Sequence, residues 1–124
     1  MGLYDYLAAG PISIFKLAEF LPNRKIIRQY FIENNYFQTK SFANCMSSYL
    51  LGDDGQLYLT DDGIWFFSEE EVPRKDQKTP FVFTGEINFY TEYAIKRDYW
   101  VDYFLKIKDG KFDLSKIKCD ITRL

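Results

Sequence analysis

The sequence contains no histidine. That absence removes the commonest general base, the Ser-His-Asp and Cys-His nucleophile arrangements, and the commonest transition-metal ligand. Cysteine is nearly as scarce. Cys45 and Cys119 stand far apart and in no metal-ligand spacing. Their spacing leaves a disulfide open, but nothing else in the chain reads as secreted. Long hydrophobic runs are missing too, so no membrane-spanning helix is expected. The opening "MGLYDYLAAGPISIF" lacks the basic region and uninterrupted apolar run of a signal peptide. Tyr6 stands where a myristoylation signal needs Ser or Thr. No phosphate-binding or dinucleotide glycine motif is present. Basic residues are not in excess: 16 Lys and Arg meet 18 Asp and Glu, a net charge of −2. Nucleic acid is therefore a poor partner, whereas a basic protein is a good one. The expectation is a cytoplasmic chain without cofactor, metal or catalytic residues.

What the chain has in quantity is aromatic side chains, 19% of its 124 residues, with 12 Phe and 10 Tyr. These favour pleated, half-buried surfaces and anchor binding interfaces. The length predicts a single domain, 1–124, with an adequate core.

Periodicity divides it in two. Gly10-Pro11 punctuates a short aromatic lead-in and opens a helix. Ile14, Leu17, Ala18 and Leu21 then follow the i, i+3, i+4, i+7 spacing of one helical face. Leu21-Pro22 breaks the run. In residues 23–33 a second amphipathic segment sets Ile26, Ile27, Tyr30 and Phe31 on one side. Residues 1–35 thus read as an N-terminal helical segment. From Tyr36 the period becomes two, and residues 36–124 read as a curled, mostly antiparallel sheet of six or seven strands. The fold class is α+β.

The stretch "LLGDDGQLYLTDDGIWFFSEEEV" repeats Asp-Asp-Gly and ends in three glutamates. Calcium loops alternate their oxygen ligands around the glycine; here the aspartates are adjacent, so hairpin turns are the better reading. Glu69, Glu70 and Glu71 read as a solvated strand end rather than as paired catalytic carboxylates. A third Asp-Gly, at 109–110, sets Lys108 against Lys111, Ile107 against Phe112 and Leu105 against Leu114. After Ser115 the apolar set slips to Ile117, Cys119 and Ile121, which predicts a bulge. In "PFVFTGEINFY" Phe81, Phe83, Ile87 and Phe89 share one face.

Candidate partner-binding residues follow from exposure. Trp100 and Phe104 fall on the strand face opposite Leu105 and Ile107. Trp65 has apolar neighbours that one sheet face cannot all bury. Asp53, Asp54, Asp61, Asp62, Glu69 and Glu70 form an acidic rim able to steer a basic partner. The leading expectation is a non-enzymatic protein-interaction module of the kind that inhibitors, immunity factors and phage accessory proteins use. The alternative is a small-molecule-binding β module whose pocket is lined by Phe81, Phe83, Phe89 and Tyr103. Unprotected edge strands also leave homodimer formation open.

Five fragments occur in a recognisable order: "MGLYD", "FQTKSFANCM" at 37–46, "DDGQLYL" at 53–59, "VFTGEINFYT" at 82–91 and "YWVDYFLKIKDGKF" at 99–112. Together they resemble a family of small uncharacterised bacterial and phage proteins. Its members share a Met-Gly-aromatic-Asp start, a QTK element, an FTGEI-like strand and a final W…Y…DG hairpin. The resemblance implies a similar fold and a microbial or phage origin, and it transfers no catalytic residue. This chain departs from the pattern in its longer helical segment before the QTK element.

Overall fold

The computed structural model describes residues 4–42, 47–60, 78–93 and 99–123. The lead-in to the helices proves to be a strand, β1 (Asp5–Ala9). Its sequence shows no alternation because Leu7, Ala8 and Ala9 are all inaccessible, as in a strand covered on both faces. It pairs antiparallel with β2 (Phe37–Thr39) and parallel with β3 (Ser48–Leu51). The N-terminal helical segment is correspondingly smaller than expected. It consists of α1 (Ser13–Ala18) and α2 (Lys25–Glu33).

The remaining strands are β4 (Leu57–Thr60), β5 (Lys78–Pro80), β6 (Gly85–Tyr93), β7 (Tyr99–Lys108), β8 (Lys111–Phe112) and β9 (Lys118–Arg123). The described residues form one mixed sheet of nine strands, not six or seven. Its order is β5-β4-β3-β1-β2-β6-β7-β8, with β9 also on β7. Every pairing except β1 with β3 is antiparallel.

The final hairpin keeps its expected register, Lys108 opposite Lys111 and Ile107 opposite Phe112. Asp109 (φ 52°) and Gly110 (φ 79°) supply the two left-handed residues of its turn. Leu105 does not meet Leu114, however. A 3-10 turn, Leu114–Lys116, replaces the anticipated bulge, started by Asp113, whose side chain accepts from the Ser115 backbone N–H. The turn resets the strand, and β9 then pairs Tyr103 with Cys119 and Val101 with Ile121. The Asp53-Asp54-Gly55 turn differs from a two-residue loop. Gly55 N–H donates to Gly52 O and Gly52 N–H to Gln56 O, leaving three loop residues with only Gly55 left-handed. Asp61-Asp62-Gly63 lies outside the described residues.

The core lies between the inner sheet face and the helices. Phe89 stacks on Tyr103 with centroids 5.1 Å apart, and Phe37 meets both rings edge-on. Tyr103 is fully buried, and its hydroxyl donates to Leu17 O at 2.6 Å, tying β7 to α1. Ile14, Leu17, Ala18 and Leu21 are buried as their spacing requires. In α2 only half the apolar set is. Ile27 and Phe31 are buried, but Ile26 is 57% and Tyr30 38% exposed. Successive helical residues point about 100° apart, so a helix seated through residues 27 and 31 turns 26 and 30 aside.

Two distant turns join the ends of the sheet at one corner without closing it. Gln56 bridges Lys111, Leu57 N–H donates to Gly110 O at 2.7 Å, and Phe112 N–H donates to Gly55 O at 3.0 Å. The connector from β5 to β6 is pinned in the same place, Phe81 N–H donating to Leu57 O and Gly110 N–H to Phe83 O. Gly110 is essential to this approach because a Cβ there would press on the Phe81 carbonyl.

The same acidic turn holds α1. Ile12, at the N-cap position, carries no side-chain acceptor. Asp53 supplies one from 41 residues away, accepting from Ile12 N–H at 3.2 Å and Ser13 N–H at 2.7 Å. Asp53→Ala is expected to lower unfolding free energy by about 1 kcal/mol, with Asp53→Asn retaining most of it. Urea unfolding curves of both variants check this, and an unchanged Asp53→Ala midpoint would remove the capping role. Tyr103→Phe is expected to cost about 1–3 kcal/mol by stranding the buried Leu17 carbonyl, read from the same kind of curve.

Candidate functional site

Strand alternation puts one row of side chains across the outer sheet face. The register aligns Lys78, Thr60, Ser48, Tyr6, Gln38, Tyr90, Asp102 and Asp120 in turn. Flanking this row are Tyr4, Tyr36, Asn88, Trp100 and Phe104. All six of the aromatic residues Tyr4, Tyr6, Tyr36, Tyr90, Trp100 and Phe104 are half-buried. Their partner strands cover part of each ring and leave the rest to solvent.

The aromatic contacts form two groups. Tyr6 packs against Tyr4 and Tyr36 at 5.3 Å each. Tyr90 stacks on Trp100 at 5.1 Å with 24° between planes. Asp102 sits beside that stack. One of its oxygens accepts from Trp100 Nε1 at 2.9 Å and the other from Asn88 Nδ2 at 3.2 Å. Neither contact brings a positive charge. Directly across from Asp102 in the ladder stands a second carboxylate, Asp120.

This environment shifts the phenols. Burial raises the Tyr36 pKa well above its ordinary 10.0, and the charges of Tyr4 and Tyr6 push the same way. Tyr6 rises through burial and through Tyr4. Tyr90 rises through burial, then through Asp102 and Tyr4. On the inner side, burial and the charges of Asp120 and Asp102 push the half-buried Cys119 thiol up to about 11, so at neutral pH it is a protonated thiol and a poor nucleophile. Among the described residues no cluster of three His, Cys, Asp or Glu side chains could hold a metal ion. No helix there is long and apolar enough to cross a membrane. The outer face thus offers π surfaces, hydroxyls and two carboxylates, a chemistry suited to recognition.

The residues singled out from sequence do not come together. Trp100 and Phe104 lie on the outer face as their parity predicts. Asp53 and Asp54 sit in the turn that meets the far end of β7 and β8, and their carboxylates are occupied. Asp53 caps α1; Asp54 accepts from Gln56 N–H and from the Tyr58 hydroxyl. That contact with Asp54, followed by burial, raises the Tyr58 pKa. Asp61, Asp62, Trp65, Glu69 and Glu70 lie outside the described residues. Of the aromatic residues proposed to line a pocket, Phe89 and Tyr103 are buried in mutual contact, while Phe81 and Phe83 are half-buried near Phe42. The tyrosines of the outer face escaped sequence reading. The signal was their common outward parity in β1, β2 and β6, which has no meaning until those strands are known to be neighbours.

Comparison with protein-family models, with curated proteins and with solved structures finds no match to the chain.

Raised phenol and thiol pKa values mean that the fold holds these groups in their neutral forms. Their contribution to stability is complete below the unfolded values, near 9.0 for the thiol and 10.0 for the phenols, and is lost as pH climbs above them. Stability is therefore expected to fall on the alkaline side from about pH 9 upward. Absorbance at 295 nm should show a phenol fraction, to which Tyr6, Tyr36, Tyr58 and Tyr90 contribute, ionising above the ordinary phenol value. A single titration of all ten at the ordinary value would contradict the clustered environment.

Proposed function

We propose that the protein is a non-enzymatic interaction module that binds another, basic protein through the outer face of β1, β2, β6 and β7. One observation carries the reading: the Tyr90–Trp100 stack lies beside Asp102, which stands directly opposite Asp120. Like charges facing each other across a ladder oppose folding, so this pair gains its use from a cation supplied by a partner. Stacked Trp and Tyr give rigid apolar area at the centre of such contacts, and a guanidinium or ammonium is favoured over their rings. The missing histidine and the protonated Cys119 further support binding rather than catalysis. The pocket alternative has less support, because Phe89 and Tyr103 spend their ring faces on each other and on Phe37.

The test is affinity capture from the lysate of the native host at low and high salt, comparing wild type with a Tyr90→Ser/Trp100→Ser variant and with Asp102→Asn. The expected result is one stoichiometric basic protein, held by wild type, weakened by salt and by Asp102→Asn, and lost with the double variant. Because the three side chains are only half-buried, circular dichroism should show all variants folded. A partner retained equally by every variant would move the binding surface elsewhere.

A further inference from the structure

We infer that the α1–α2 hairpin is a second docking surface, whose occupant is an acidic amphipathic segment of a partner protein. Six large hydrophobic side chains are exposed among the described residues, and five belong to this hairpin and its ends: Ile12 (65%), Phe15 (57%), Phe20 (43%), Ile26 (57%) and Tyr30 (38%). Scattered apolar residues need no explanation, but a concentration of them on one side marks an interaction surface. Both helices bury Ile14, Leu17, Ala18, Ile27 and Phe31 in the same core, which leaves Ile12, Phe15, Ile26 and Tyr30 to solvent, while Phe20 also meets the Tyr103 ring edge-on at 6.0 Å.

Charge selects the occupant. Residues 12–33 carry four cations, Lys16, Arg24, Lys25 and Arg28, against two acids, Glu19 and Glu33, within a chain that is acidic overall. Lys16, Arg24 and Lys25 are exposed. Lys16 lies near enough to Asp113 to add to the lowering of its pKa by Ser115, which leaves Arg24 and Lys25 as the cations with no acid beside them among the described residues. Arg28 instead serves the fold, since its Nη2 donates to Glu19 O and Leu21 O and locks the end of α1 to α2. With Asp53 on the first turn of α1 and Tyr103 on Leu17, the surface is held in place before any partner arrives. Such preorganisation lowers the ordering cost of binding. Glu19 and Glu33 oppose an extended anionic bilayer, whereas a segment with discrete side chains can place its acids on Lys16, Arg24 and Lys25 and avoid them. The helices cover the core face of the sheet, while Tyr90 and Trp100 lie on its outer face. The two docking surfaces therefore sit on opposite sides, with opposite charge preference, and can be occupied together.

The experiment measures fluorescence anisotropy of three synthetic amphipathic peptides with the same leucine spacing and negative, zero or positive net charge, titrated with the full chain. The negative peptide is expected to bind at least about tenfold more tightly than the others. That preference should weaken in high salt and in Lys16→Glu/Lys25→Glu. Binding should fall about tenfold or more in Phe15→Ser/Ile26→Ser and persist in Trp100→Ser. These side chains are exposed, so the variants should keep the wild-type circular dichroism; Lys25→Glu alone provides a milder second test. Equal affinity for all three peptides would overturn the proposal. So would tighter attachment to phosphatidylserine vesicles than to the acidic peptide, or a wild-type dimer that Phe15→Ser/Ile26→Ser dissociates. Loss of binding at the outer sheet face, with peptide binding here intact, would leave this inference standing on its own.

Discussion

The turn at residues 52–56 is the junction on which the architecture depends. Within five residues it caps α1 through Asp53, braces β4 through Asp54 and Tyr58, and joins β8 through Gly55 and Gln56. Each of these bonds satisfies a backbone or side-chain group that would otherwise lack a partner near the surface. The backbone bonds contribute only about 1 kcal/mol each and those to carboxylates about 1.5–3 kcal/mol, but all of them link elements that nothing local would hold together. The connector at residues 81–84 shows the constraint. It joins β5 to β6, which stand five positions apart in the sheet order, using four residues. Flat strands would separate them by roughly 24 Å, beyond the reach of so short a segment. The sheet has to bend, and the corner at Gln56 and Gly110 is where the bend is fastened.

This gives the acidic stretch a structural meaning different from the one its composition suggests. Asp53 and Asp54 look like a steering rim, yet their oxygens are committed to Ile12, Ser13, Gln56 and Tyr58. The carboxylates that face each other across a ladder are elsewhere. Asp102 and Asp120 face each other on the outer sheet, an opposition of like charges that disfavours folding, and the Asp102 oxygens are held by Trp100 Nε1 and Asn88 Nδ2.

Sequence reading succeeded where neighbours in the chain are neighbours in space. The 107–112 hairpin could be registered from its Asp-Gly turn and alternating apolar residues, and the buried side of α1 from Ile14, Leu17, Ala18 and Leu21. It failed where the deciding partner is remote. β1 has no alternation because Leu7, Ala8 and Ala9 are inaccessible on both of its faces, and neither identity nor spacing within DYLAA announces that. Ile26 and Tyr30 resemble core residues until the seat of α2 is known. The capping role of Asp53 spans 41 residues. Of the outer face, Trp100 and Phe104 were legible because β7 is long and its register clear; the tyrosines were not, since three separate strands contribute them.

The parallel pairing of β1 with β3, and the bonds from residues 55–57 to residues 110–112, have a consequence for the order of events on the ribosome. β1 emerges before both of its partners, finding the first only with residues 37–39 and the second with residues 48–51. The corner cannot be fastened until residue 112 has been made. Long-range pairings of this kind form slowly, after the entropy of closing large loops has been met. Until then the nascent chain exposes an apolar strand beside two amphipathic helices, a species prone to self-association.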